Sequence, residues 1–135
     1  MIEEKCLGQL TTKEIKQLYR SSLKDGFLKG MLDDYVQTTY FTKETESLVK
    51  FYLIKRDGKI VAWCLIDASK AYTASVHPQL HVYTQVRYRG QGMAKMLIEK
   101  ALSDIPTKYK TVGAKPWTKQ GRLLYSKYDR IEFYV

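Results

Sequence analysis

The segment Arg87-Tyr88-Arg89-Gly90-Gln91-Gly92-Met93-Ala94 concentrates the residues best suited to chemistry. Two glycines spaced in this way let a backbone turn tightly and come close to a ligand. At the start of a following helix the first N–H groups have no intrahelical acceptor and carry the positive end of the helix dipole. Such a corner suits a pyrophosphate. Arg87, Arg89 and Lys95 add full positive charges where the field is already favourable. Two other phosphate loops are excluded. The nucleotide loop G-x-x-x-x-G-K-[ST] does not occur, and the dinucleotide fingerprint G-x-G-x-x-G is met only by Gly90 and Gly92, with Lys95 in the place of its third glycine.

A corner of this kind works only between a strand and a helix, and the flanking sequence predicts both. Leu80, Val82, Thr84 and Val86 alternate with His81, Tyr83 and Gln85, which predicts a strand over 80–86. Ala94, Leu97, Ile98, Ala101 and Leu102 follow the helical period until Pro106 ends it. Upstream, the runs LVKFYLI and KIVAWCLID are joined through Lys55-Arg56-Asp57-Gly58, a hairpin signal. Ile60 to Ile66 is apolar at every position, so this strand must be covered on both faces. Thr11 and Glu14 have capping-box spacing, and Ile15, Leu18, Tyr19, Ser22 and Leu23 lie on one face of a helix over about 12–24. Phe27, Leu28, Met31, Leu32 and Tyr35 can line a second helix, with TTYFTKETES as a polar connection. A short strand near 111–114, a helix over about 118–128 and a strand over 131–135 complete the chain. The order α(α)βββαβαβ, antiparallel strands followed by one β-α-β unit, gives a mixed α/β sheet.

The chain's 135 residues and 44% apolar content make one domain with one core, residues 1–135, too short for a two-domain enzyme. Its charge of +9 is unevenly placed: residues 1–69 hold 11 basic and 10 acidic side chains, residues 70–135 hold 12 and 4. The second half is therefore built to meet anions, and nucleic acid, an anionic membrane or a phosphorylated cofactor would all satisfy it. No apolar run approaches the roughly 20 residues of a membrane span, and MIEEKCLGQL lacks the order of a signal peptide, so a cytoplasmic protein without membrane contact is expected. Cys6 and Cys64 form no metal-ligand spacing, and Cys64 sits in a strand-like apolar run as a small core residue.

Arg89-Gly90-Gln91-Gly92-Met93-Ala94 also meets the pattern [QR]-x-x-G-x-[GA], and on it the chain resembles the GCN5-related N-acetyltransferase (GNAT) superfamily from Leu48 onward. The resemblance implies a mostly antiparallel central sheet flanked by helices, with a strand–glycine loop–helix site for acetyl-CoA. It implies acyl transfer from that thioester to an amine-bearing acceptor. Cofactor contacts are then expected at Arg87, Arg89, Gly90, Gln91, Gly92, Met93, Ala94 and Lys95. A backbone N–H near Val82, Tyr83 and Thr84, where two strands splay, would hold the oxyanion. The superfamily's pattern N-x-x-A-x-x-L-Y-x-x-x-G-F carries a tyrosine on the last helix, and Leu124-Tyr125 supplies that pair. Thr118 stands in place of Asn, Gly121 of Ala, and Asp129-Arg130 of Gly-Phe. Tyr125 is the expected acid for the departing thiolate, since a phenol ordinarily keeps its proton at neutral pH. The base is sought among His81, His77, Glu44 and Glu46, with His81 first because it lies on the expected splayed strand. Tyr35, Tyr40, Phe41, Tyr72 and Tyr83 fall in segments that wall the acceptor site in this superfamily. The chain ends after a single strand beyond the last helix, where related enzymes often continue, so the acceptor side is expected to be open or completed by a second copy as a homodimer.

A reading of another class competes, in which the basic half contacts nucleic-acid phosphates and tyrosines stack on bases. No zinc-finger spacing, aromatic RNA-binding pattern or continuous basic helix supports it. A transferase acting on a nucleic-acid-linked amine would combine the two.

Overall fold

The Asp57-Gly58 hairpin is the centre of the fold. In the computed structural model, which describes residues 1–21, 26–37, 42–69, 77–106, 108–116 and 118–133, strand β2 (Val49–Arg56) and strand β3 (Lys59–Asp67) pair antiparallel across a turn of those two residues alone. Asp57 (φ 54°) and Gly58 (φ 75°) are both left-handed, the geometry whose twist matches paired strands. Strand β1 (Ile2–Cys6) pairs antiparallel with β2, and β4 (Gln79–Thr84) pairs antiparallel with β3. Strands β5 (Val112–Ala114) and β6 (Ile131–Phe133) follow in parallel, so the described sheet runs β1-β2-β3-β4-β5-β6.

Helices cover both faces, as the apolar run in β3 requires. On one face, α4 (Met93–Asp104) lays Leu97, Ile98 and Ala101 on Ala62, Cys64 and Ile66. α5 (Lys119–Tyr125) adds Tyr125 to the same core. On the other face, α1 (Thr12–Ser21) and α2 (Gly26–Val36) place Leu18, Leu28, Met31 and Leu32 against Phe51, Trp63 and Leu65. Cys64 is wholly buried, and burial pushes its thiol up.

Charged groups fix how the layers meet. The capping box forms: Thr11 Oγ1 accepts from the Glu14 N–H (3.1 Å) and Glu14 Oε1 accepts from the Thr11 N–H (2.8 Å). The same carboxylate, on a side chain only 4% exposed, also pairs with Lys5 of β1 (2.8 Å) and Lys55 of β2 (2.7 Å), tying α1 to the sheet. Arg130 donates to the carbonyls of Leu102 and Tyr109 (2.8 Å each), placing a cation at the C-terminal end of α4.

Several expectations are corrected. The chain opens with a strand, β1, rather than a helix, because residues 2–6 form a half-exposed edge with no continuous apolar run. The polar stretch before the hairpin contains α3 (Lys43–Ser47), capped by Thr42, whose Oγ1 accepts from the Thr45 N–H (3.2 Å). The strand expected over 80–86 ends at Thr84, and Val86–Tyr88 makes a single 3₁₀ turn. The last helix stops at Tyr125. Because β6 is parallel to β5, the described residues form two β-α-β crossovers instead of one.

Candidate functional site

The glycine corner has the geometry needed to hold an anion. Gly90 (φ 82°) and Gly92 (φ 78°) both adopt the left-handed conformation that other residues enter at a cost, and a Cβ at either would meet nothing within 4 Å. The backbone therefore faces open space. Gly92 is the N-cap of α4, with no side-chain hydrogen bond capping the helix and no acidic residue in the first turn. The first helical bond runs from the Met96 N–H to the Gly92 carbonyl (3.0 Å), so the geometry of an α-helix leaves the N–H groups of Met93, Ala94 and Lys95 without intrahelical acceptors.

Next to this corner the sheet opens. Among the described residues strand β4 pairs with β5 only at Gln79–Gly113 and Leu80–Ala114, whereas its pairing with β3 continues to Thr84. The Pro78 carbonyl accepts from the Gly113 N–H (2.9 Å). By the two-residue period of a strand, the backbone groups of Val82 and Thr84 face the same edge beyond the last β5 pairing. The Thr84 carbonyl accepts from Arg89 Nε (2.9 Å), bracing the glycine corner on this edge. Thr84 Oγ1 is buried without a hydrogen-bond partner among the described residues.

A cleft of about 570 Å³ joins these features. Val82, Tyr83 and Thr84 form one wall; Gly90, Gly92, Met93, Ala94 and Lys95 form the anion end; Thr118, Gln120, Gly121, Leu124 and Tyr125 close the α5 side. Tyr125 is 4% exposed, and its ring lies 6.3 Å from that of Phe133, tilted by 54°. The departures from the superfamily pattern have local explanations. Thr118 caps α5 in place of asparagine by accepting from the Gly121 N–H (3.0 Å), and Arg130 serves the end of α4.

Ten of the expected residues thus line one cleft: Val82, Tyr83, Thr84, Arg89, Gly90, Gly92, Met93, Ala94, Lys95 and Tyr125. Arg87, Gln91, His81 and Tyr35 do not line it. The Arg87 guanidinium lies over the Tyr88 ring, 5.3 Å from its centroid, and Gln91 is exposed. His81, the expected base, is only 4% exposed. Strand alternation turns it to the α1/α2 face, two residues and about 7 Å from Tyr83, away from the open end. Tyr35 packs against the α1/α2 core. Tyr40, Phe41 and Tyr72 lie outside the described residues, as does the side chain of Glu44. Seven lining residues were not anticipated: Ser21, Trp63, Tyr88, Thr118, Gln120, Gly121 and Leu124. Thr118 and Gly121 stand at helical intervals from Tyr125, a signal the sequence did carry, and Leu124 adjoins it in the chain. Trp63 enters as the cross-strand partner of Tyr83, which only the register reveals.

Solved structures share this architecture. A predicted acetyltransferase from Clostridium acetobutylicum, determined with acetyl-CoA, is 16% identical with a TM-score of 0.65, over 96% of this chain and 89% of that one. The ribosomal-protein-S18-alanine N-acetyltransferase of Escherichia coli is 13% identical with a TM-score of 0.60, over 94% and 76%. The ribosomal-protein-alanine N-acetyltransferase of Brucella melitensis is 18% identical with a TM-score of 0.53, over 100% and 98%. Sequence comparison with curated proteins gives no significant match. The fold is that of the acetyltransferases, and residues 12–119 match the sequence profile of the acetyltransferase (GNAT) family. The chain belongs to that family, whose members are acyl-transfer enzymes, and the nucleic-acid-binding alternative is not favoured. No helix among the described residues is long and apolar enough to cross a membrane.

Proposed function

We propose that the protein transfers an acetyl group from acetyl-CoA to a primary amine by direct attack on the thioester. One observation carries this reading: a helix N-terminus without a side-chain cap, glycine-cornered and free of carboxylates, opens into the same cleft as Tyr125 and the edge of β4 that β5 leaves without strand pairing among the described residues. The residues present fit a diphosphate, because the anion end offers several N–H donors, Arg89 and Lys95, and no side chain that would fill the space above Gly90 and Gly92.

Acetyl-CoA supplies an acyl group activated as a thioester and a sulfur leaving group. The N–H groups of Met93, Ala94 and Lys95 hold its pyrophosphate, with Arg89 and Lys95 adding charge. One N–H of this pair, Val82 or Thr84, at the open edge of β4, donates to the carbonyl oxygen as negative charge develops there. The new N–C bond forms as the C–S bond breaks. Tyr125 gives its proton to the departing sulfur and regains one from solvent, while the amine proton passes to water. His81 has no part in this scheme.

Acetyl-CoA should stabilise the protein by about 2.7 kcal/mol at a hundred times its Kd, and Gly92→Val, which fills the corner, should abolish that response. A mass increase of one acetyl group on a candidate amine would identify the acceptor. Absence of any acetyl-CoA response in the folded wild-type protein would sink the proposal.

A further inference from the structure

The cleft has two chemically unlike ends. Val82 packs on the α4 side of the sheet and Tyr83 on the α1/α2 side, yet both line the cleft, which therefore passes from one face to the other beside the unpaired edge of β4. On the transferase reading, which this inference rests on, the thioester donor enters from the anion end. The acceptor must then approach from the end formed by Tyr83, Trp63 and Ser21.

That end is a fixed aromatic platform. Trp63 and Tyr83 are register partners across β3 and β4, with ring centroids 6.0 Å apart and planes within 27° of parallel. The indole cannot rotate freely: its Nε1–H donates to Ser21 Oγ (2.9 Å), and Ser21 Oγ donates to the Leu18 carbonyl at the end of α1 (3.0 Å). Trp63 is 1% exposed, so it backs Tyr83, which is half-buried and meets the cleft. A ring already stacked and held loses little freedom when a further planar group stacks on it, and offset stacking is a preferred aromatic arrangement. Charge argues against a polycation. Among the described lining residues there is no carboxylate, and the charged side chains are Arg89 and Lys95.

We propose that the acceptor is an amine carried on a planar aromatic ring, which stacks on Tyr83 while its nitrogen reaches the open edge of β4. The test compares phenethylamine with cyclohexylethylamine, which differ in the flatness of the ring, and with the aliphatic polycation spermidine, each with saturating acetyl-CoA. The expected result is a kcat/KM for phenethylamine roughly tenfold above the other two. Tyr83→Phe should keep that preference and Tyr83→Leu should erase it, with the thermal response to acetyl-CoA retained in both. Should Tyr83→Leu fail to fold, Ser21→Ala serves instead: it frees the indole and should reduce the preference. Equal or better use of cyclohexylethylamine or spermidine overturns the proposal, as does acetylation of none of the three. A retained acetyl-CoA response then shows that the transferase reading stands without the aromatic acceptor; loss of that response in the wild type removes both.

Discussion

Tyr125 is the residue on which the proposed chemistry is most exposed to test. Tyr125→Phe removes one hydroxyl and keeps the ring that packs on Phe133. If the hydroxyl protonates the departing sulfur, kcat should fall on the order of 10²-fold, while stabilisation by acetyl-CoA stays as in the wild type. Steady-state rates beside thermal shifts would show this, and an unchanged kcat would remove Tyr125 from the mechanism. At this scale the sequence was informative where chemistry is local. The glycine corner and Tyr125 were legible because each lies in a short contiguous pattern. His81 falls outside the cleft lining, a position that alternation could not forecast because it says which residues share a strand face but not where along the strand the neighbouring strand departs. Trp63 and Ser21 were missed because they meet only through register and the position of a helix end.

At the scale of elements, Glu14 and Gly113 make two separate predictions. Burial raises the Glu14 carboxyl, but Lys5, Lys55 and the Thr11 N–H outweigh it and bring the pKa from 4.5 down to about 2. A carboxyl lowered on folding stabilises the folded chain fully above pH 4.5 and loses that contribution as the pH falls toward 2. The whole contribution is about 3 kcal/mol. Urea unfolding at pH 7 and pH 3 should therefore differ less for Glu14→Gln than for the wild type, and the variant should be less stable at pH 7 by about 3 kcal/mol because Lys5 loses this carboxylate and Lys55 is left with Glu3 alone. Gly113 pairs with Gln79, one position before the last β4–β5 pairing, and a Cβ there would sit 2.8 Å from both terminal atoms of the Gln79 amide. Gln79 is 3% exposed and donates to the His77 carbonyl (3.1 Å), so it has little room to yield. Gly113→Ala should cost about 1–3 kcal/mol, and Gln79→Ala should relieve most of it in a double-mutant cycle; additive losses would show that the clash is not the cause. The hairpin, the doubly covered strand and α4 were readable because each is set by its own periodicity or turn. β1 and the direction of β6 were not, since one is a half-exposed edge and the other depends on how its crossover packs.

For the whole molecule, the uneven charge predicts how binding responds to salt. The half that contains the glycine corner, α4 and α5 carries 12 basic and 4 acidic residues, against 11 and 10 in the other. Little of this excess lies in the cleft, where Arg89 and Lys95 are the basic lining residues among those described. The remainder acts through the field it sets up around the anion end, and that field reaches about 10 Å at 0.1 M salt but only about 3 Å at 1 M. The affinity for acetyl-CoA should therefore fall severalfold over that range, mainly through slower association. Acetyl-pantetheine carries the same thioester without phosphates, so its weaker binding should hardly change with salt. Lys95→Gln should flatten the acetyl-CoA dependence without removing it, because the other cations still contribute. Parallel salt dependences for the two thioesters would mean that the basic half serves some partner other than the donor, and that its charge is not steering a phosphorylated ligand toward Gly92.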